Sequence, residues 1–215
     1  MILSRGRGYL FIHIPKTGGT SMALALEARA MKDDILIGDT PKAIRRRGRL
    51  KGAQTRGRLW KHSTLADIDG LLAPGMLDGL FAFTLVRNPW DRAVSYYHWL
   101  RGQRFDHPAV HLAKQVPFDR FVTDPATLAT FAANPAASYM RRADGVEQCA
   151  TYVRLEHLSE DLAPLTRHLG FALYLPHENR SDRAADYRSF YSEDSAASLA
   201  RACAEDIARF DYTFG

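Results

Sequence analysis

Cysteine is nearly missing from this chain: Cys149 and Cys203 are the only two in 215 residues, far apart and in no CxxC pair. That scarcity excludes a disulfide-stapled scaffold and leaves two free thiols or a single disulfide. No His/Cys grouping has the spacing of a metal ligand set, so no metal is expected. No apolar run approaches the roughly 20 residues of a membrane span. The opening MILSRGRGYLFIHIPK is interrupted too early to act as a secretory signal, so a cytoplasmic protein is expected. Repeats and low-complexity tracts are absent. Acid is missing from one stretch in particular. Between Thr40 and Lys61 lie nine Lys or Arg residues and no Asp or Glu. The other 20 basic residues face 24 acids, so the +5 net charge is one local patch on an otherwise acidic chain. Such a patch attracts polyanions or keeps a loop solvated.

What is present is ordinary globular composition, 46% apolar and 25% charged, at a length that suits one domain or one domain with a lid. Strand-like runs alternate with helical ones. Gly8–Ile14 and Leu80–Val86 read as buried strands, with shorter ones at Asp34–Ile37, Leu59–Lys61 and Tyr152–Leu155. Helices are expected over Thr20–Met31, from Ser63 or Thr64 onward, after Pro89, over Ser159–His168 up to Gly170, and over Asp194–Phe210. Short helical turns are expected at Phe118–Val122 and Leu128–Ala133. This alternation predicts an α/β fold of three layers with a central, mostly parallel sheet flanked by helices. Ligands in such sheets sit at the carboxyl ends of strands.

Three sets of residues fall at those ends. Pro15–Ser21 (PKTGGTS) joins a strand to a helix. Gly18 and Gly19 leave backbone N–H groups open to close approach. The helix N-terminus attracts an anion, Thr17, Thr20 and Ser21 add hydroxyls, and Lys16 adds a cation. This is neither GxxxxGK[ST] nor GxGxxG, because the lysine comes before the glycines. A tight strand–helix turn is the competing explanation. Arg87 ends the central strand and Ser95 follows two helical turns later, so a guanidinium and a hydroxyl can converge on a second anion. Alternatively, Arg87 pairs with Asp91. His62 follows Lys61 at another strand end, and its ordinary pKa suits a general base. A structural role for one of eight histidines is the alternative. Two anion sites at adjacent strand ends point to one ligand with two separated phosphates.

FIHIPKTGGTS, LWKHSTLADI, FTLVRNPWDRAVSYYHW and the C-terminal YRSFYSEDSAASLARACAEDIARFDYTFG together resemble the sulfotransferase family, in its carbohydrate O-sulfotransferase-like branch. The resemblance spans nearly the whole chain and implies one P-loop-like domain over residues 1–215, binding 3′-phosphoadenosine-5′-phosphosulfate (PAPS). It implies that Lys16, Thr17, Gly18, Gly19, Thr20 and Ser21 hold the 5′-phosphosulfate, with Lys16 stabilising the leaving phosphate. Arg87 and Ser95 would hold the 3′-phosphate, and His62 would take the acceptor's proton. No metal is needed in that scheme, whose product is adenosine 3′,5′-bisphosphate (PAP). The segment Asn134–Gly145 occupies the place of an acceptor-cleft segment in relatives but matches it poorly. Asn179–Ser181 and Arg183, in a loop over residues 176–190, could close over the nucleotide or be solvated. Residues 40–58 form a basic loop insertion. Arg154 and Glu156 read as a structural ion pair, and Trp90, Tyr96, Tyr97 and Trp99 as mostly core packing.

The expected partner is a hydroxyl-bearing acceptor, a carbohydrate or other polar molecule, with an anionic one favoured only weakly by the patch. Nucleic acid is not expected. Two other readings stand beside this one. A P-loop kinase of a small metabolite lacks its GK[ST] and a clear Mg²⁺-binding aspartate. A non-enzymatic polyanion-binding module would use the Arg45–Arg58 patch and have no use for Arg87 and Ser95.

Overall fold

A computed structural model describes residues 1–176, 184 and 186–215. Asn179–Ser181 and Arg183 lie outside the described residues. Along the chain run β1 (Ile2–Ser4), β2 (Tyr9–Ile12), α1 (Gly19–Ala28), β3 (Ile35–Leu36), α2 (Pro41–Arg46), β4 (Phe81–Val86), α3 (Pro89–Arg101) and α4 (Pro108–Gln115). Then come α5 (Phe118–Val122), α6 (Pro125–Ala133), α7 (Ala136–Tyr139), β5 (Thr151–Arg154), α8 (Leu158–Asp161), α9 (Ala163–Leu169), α10 (Glu193–Ala202) and α11 (Ala204–Phe210). The chain divides into two compact units, one of residues 1–86 and 136–178, the other of 87–135 and 179–215.

The first unit carries the sheet, in the order β3-β1-β2-β4-β5. It is mixed. β2, β4 and β5 are parallel, whereas β1 is antiparallel to both β2 and β3. Four strands therefore run one way and β1 alone runs the other. The reversal follows from the short Arg5–Gly8 turn, in which Gly8, at φ 63°, hydrogen-bonds back to the Arg5 carbonyl. A turn that short can only form a hairpin, while parallel neighbours need a crossover.

β2 and β4 are buried on both faces, as strands covered on two sides must be. Tyr9, Phe11, Phe83, Leu85 and Val153 share one face and pack with Met22, Ala23 and Leu26 of α1 and Leu165 of α9. Between the strands, the buried Thr84 hydroxyl donates to the Ile12 carbonyl at 2.8 Å.

Several expected elements differ. No strand forms at Leu59–Lys61, and no helix follows Ser63. Thr64 and Asp67 do exchange cap-like bonds, the Thr64 N–H to Asp67 at 2.8 Å and the Asp67 N–H to the Thr64 hydroxyl at 3.2 Å. However, the carbonyls of Asp67 and Asp69 accept from the N–H groups of Gly57 and Arg56, which removes them from any helix ladder. The basic stretch is not a plain loop. Thr40 caps α2 through its side chain, Pro41 opens the helix, and a 3-10 turn follows over Arg47–Leu50. Lys42, Arg46 and Arg49 turn inward onto the carbonyls of Glu27, of Met31 and Asp34, and of Lys32. The two expected C-terminal-half helices are each broken in two, at Leu162 and Cys203.

In the second unit Asn88 caps α3, accepting from the N–H groups of Trp90 and Asp91, and Pro89 fills its first position. Trp90 is buried and donates its indole N–H to the Ala196 carbonyl at 3.0 Å, while Tyr97 donates to the Val116 carbonyl at 2.9 Å. Both aromatics pack in the core, as expected. Cys149 and Cys203 are free thiols, and burial pushes Cys203 up to about 12. Among the described residues no helix is long and apolar enough to cross a membrane.

Candidate functional site

β2 ends at Ile12, and the chain passes through His13, Ile14 and Pro15 into the turn that opens α1. Two residues there have left-handed backbones, Lys16 at φ 67° and Gly18 at φ 83°, with Thr17 on the ordinary side between them. Alternating backbone signs turn successive N–H groups toward one concave side, which is the form of an anion-binding nest. For a lysine this conformation costs on the order of 1–3 kcal/mol. Thr17 is buried and donates its hydroxyl to the Ile14 carbonyl at 2.8 Å, which braces the turn. Gly18 is the N-cap of α1 and supplies no side-chain acceptor. The first-turn N–H groups of Gly19, Thr20 and Ser21 thus stand at the positive end of the helix dipole.

The two glycines have different reasons for being glycine. Gly18 needs its positive φ. A Cβ on Gly19 would lie 2.0 Å from Cδ2 of His13, so the imidazole occupies the space a side chain would fill. The expected reason, room for a ligand, is replaced at Gly19 by room for His13.

His13 is the residue that sequence reasoning passed over, reading it as one more member of a strand. Its ring stacks on Phe11 with centroids 5.9 Å apart and meets His62 edge-on at 4.6 Å. Burial holds its pKa well below the ordinary histidine value, so it is neutral. Nδ1 of His62 lies 2.7 Å from the His13 backbone carbonyl. A carbonyl only accepts, so Nδ1 carries the proton and Nε2 the lone pair. Burial lowers the His62 pKa to about 4, against the opposing pull of that hydrogen bond. Trp60 sits edge-on to the His62 ring at 5.0 Å, and Lys61 pairs with Asp39 at 2.6 Å. The structure therefore brings the Lys16–Ser21 turn and His62 together through one shared neighbour, His13.

In the second unit, Arg87 is paired with Asp91 through Nε at 2.8 Å and Nη2 at 2.6 Å, the alternative weighed for it from sequence. Ser95 is buried on α3, two turns beyond. In the first unit, Arg154 is held by both carboxylate oxygens of Asp161, at 2.8 and 3.0 Å, which fastens β5 to α8. Arg142, in the Asn134–Gly145 segment that matches relatives poorly, pairs with Asp78 and Asp144. Among the described residues no group of three or more His, Cys, Asp or Glu could hold a metal ion.

No family model matches the chain. No curated protein matches it either. Among solved structures it is similar to the crystal structure of mouse sulfotransferase SULT7A1 complexed with PAP, at 15% sequence identity and a TM-score of 0.45, over 95% of this chain and 85% of that one.

Proposed function

We propose that this chain is a PAPS-dependent sulfotransferase acting on a hydroxyl of a carbohydrate or another polar acceptor. One observation carries the reading: a left-handed Lys16 in an anion-binding turn that is joined, through His13, to a histidine whose proton-accepting nitrogen is fixed. The nest of N–H groups and the N-terminus of α1 fit a phosphate-bearing ligand, and a lysine ahead of the glycines suits a leaving phosphate better than an ATP γ-phosphate. The sequence resemblance points the same way.

The donor would supply a sulfuryl group on a phosphate leaving group, so that the acceptor oxygen bonds sulfur as the bond from sulfur to the bridging oxygen breaks. The turn's N–H groups would hold the anion, and Lys16 would neutralise the charge left on phosphate. Arg87 and Ser95 are proposed for the 3′-phosphate. His62 Nε2 would take the acceptor's proton. At a pKa of about 4 the free imidazole is already neutral at pH 7, and nearby anionic charge raises its basicity. Positioning and fixed charge do the catalysis, as in related group transfers.

Thermal shift tests the donor class. PAP is expected to stabilise the protein, and ATP with Mg²⁺ is not. Stabilisation by ATP–Mg²⁺ alone would favour the kinase reading and overturn this one.

A further inference from the structure

A cavity of about 580 Å³ opens between the end of β3, α2 and the Arg58–Lys61 segment. Its size is that of a pocket for one or two rings. Leu36, Ile37 and Ala43, all buried, contribute apolar surface, and Trp60, 45% exposed, forms part of the wall. Four cations line it: Arg47, Lys51, Arg58 and Lys61. The one lining acid, Asp39, is tied to Lys61 and held ionised by that bond. Lys51 and Arg58 make no ion pair with a carboxylate among the described residues, and Arg47 makes none either but adds its field to that of Lys61 on Asp39, unlike Lys42, Arg46 and Arg49, whose charges are turned onto carbonyls.

The wall is held in place. The buried Ser63 hydroxyl shares its one proton between the carbonyls of Arg58 and Trp60 and accepts from the Trp60 N–H, all at 2.9 Å. Trp60 belongs to this wall and also touches the His62 ring. The indole thus links the cavity to His62, which does not itself line it.

We infer that this cavity binds the acceptor, and that the acceptor is a hydroxylated ring bearing an anionic group. The ring's apolar face packs on Trp60, and its anionic group meets Arg47, Lys51 and Arg58. This rests on the sulfotransferase reading for the word acceptor; the anion pocket itself does not.

The test is a tryptophan-fluorescence titration without donor, using a glucuronate-containing disaccharide and 4-hydroxyphenylacetate, each beside its methyl ester. At least one acid should quench the emission and bind at least tenfold more tightly than its ester, and the one that does identifies the ring as sugar or phenol. Trp60→Phe should remove the signal, which distinguishes it from Trp90 and Trp99. Lys51→Glu and, separately, Arg47→Glu should each weaken the acid at least tenfold; both residues are exposed, and melting curves check that the variants fold. Acids that bind no better than their esters, or as tightly to both charge variants as to the wild type, overturn the inference. PAP-induced stabilisation of the same samples separates the two readings. PAP binding without acid preference leaves the sulfotransferase and removes the pocket, whereas acid preference without PAP binding does the reverse.

Discussion

His62 donates its Nδ1 proton to the backbone carbonyl of His13 at 2.7 Å, which leaves Nε2 as its only basic atom. His62→Gln, whose amide can still donate to that carbonyl, is expected to lower kcat by at least a hundredfold while leaving PAP binding within about threefold. His62→Ala should do the same. Equal loss of PAP binding would make the residue structural. The acidic limb of kcat/KM should fall well below pH 6.5, toward the free-enzyme value of about 4.

Lys16 combines a charge with a backbone that lysine disfavours. Lys16→Ala keeps the left-handed strain and loses the amine, and Lys16→Gly loses both. Turnover should fall in both variants by more than PAP affinity does, while the glycine variant unfolds with about 1 kcal/mol more stability than the alanine one. Paired kcat and denaturation measurements decide this. Equal stabilities would remove the strain from the account.

Gly19→Ala places a methyl group against the His13 ring. It should destabilise the protein by roughly 1–3 kcal/mol, the usual cost of overpacking. His13→Ala opens that space, so the double variant should lose less than the two single losses added together. Strict additivity in urea unfolding would show that the ring moves aside freely.

Acid should unfold the protein partly through His62. Its folded pKa is depressed to about 4 from an ordinary 6.5, so the unfolded chain takes the proton first. The associated stability is complete above pH 6.5 and is lost as pH falls toward 4, by an amount on the order of 3 kcal/mol. His13, depressed for the same reason, adds in the same direction. Melting temperatures from pH 7.5 to 4.5 should drop less steeply in His62→Gln than in the wild type. Parallel curves would mean that the His62 ring is solvated.

The elements that sequence makes plain are those whose signals are local. Phe81–Val86 is an unbroken β-forming run, and Asn88-Pro89 caps and starts α3 from two adjacent residues. Thr40-Pro41 is the same kind of signal for α2, hidden by the arginines behind it. β1 is three residues long and exists through pairing with Tyr9–Phe11 and Ile35–Leu36, a register that no window of sequence contains. The helix expected after Ser63 had its Thr64–Asp67 cap and failed because carbonyls 67 and 69 bond to residues ten or more positions away. At the site, the turn and His62 are legible as residue types. Their link through His13 is not, because it depends on a ring filling the space beside a glycine 6 residues later.

The inward-turned basic residues have a consequence for α1 as a whole. Lys42 reaches the Glu27 carbonyl in that helix's last turn, and Arg46 and Arg49 hold the carbonyls just beyond it. Positive charge thus clamps the negative pole of the helix whose positive pole opens at the Lys16–Ser21 turn. A helix of ten residues is about 15 Å long, so these cations act on a bound anion only as distant tuners, worth well under 1 kcal/mol. Their main effect is mechanical: they anchor the far end of the rod on which the turn is mounted.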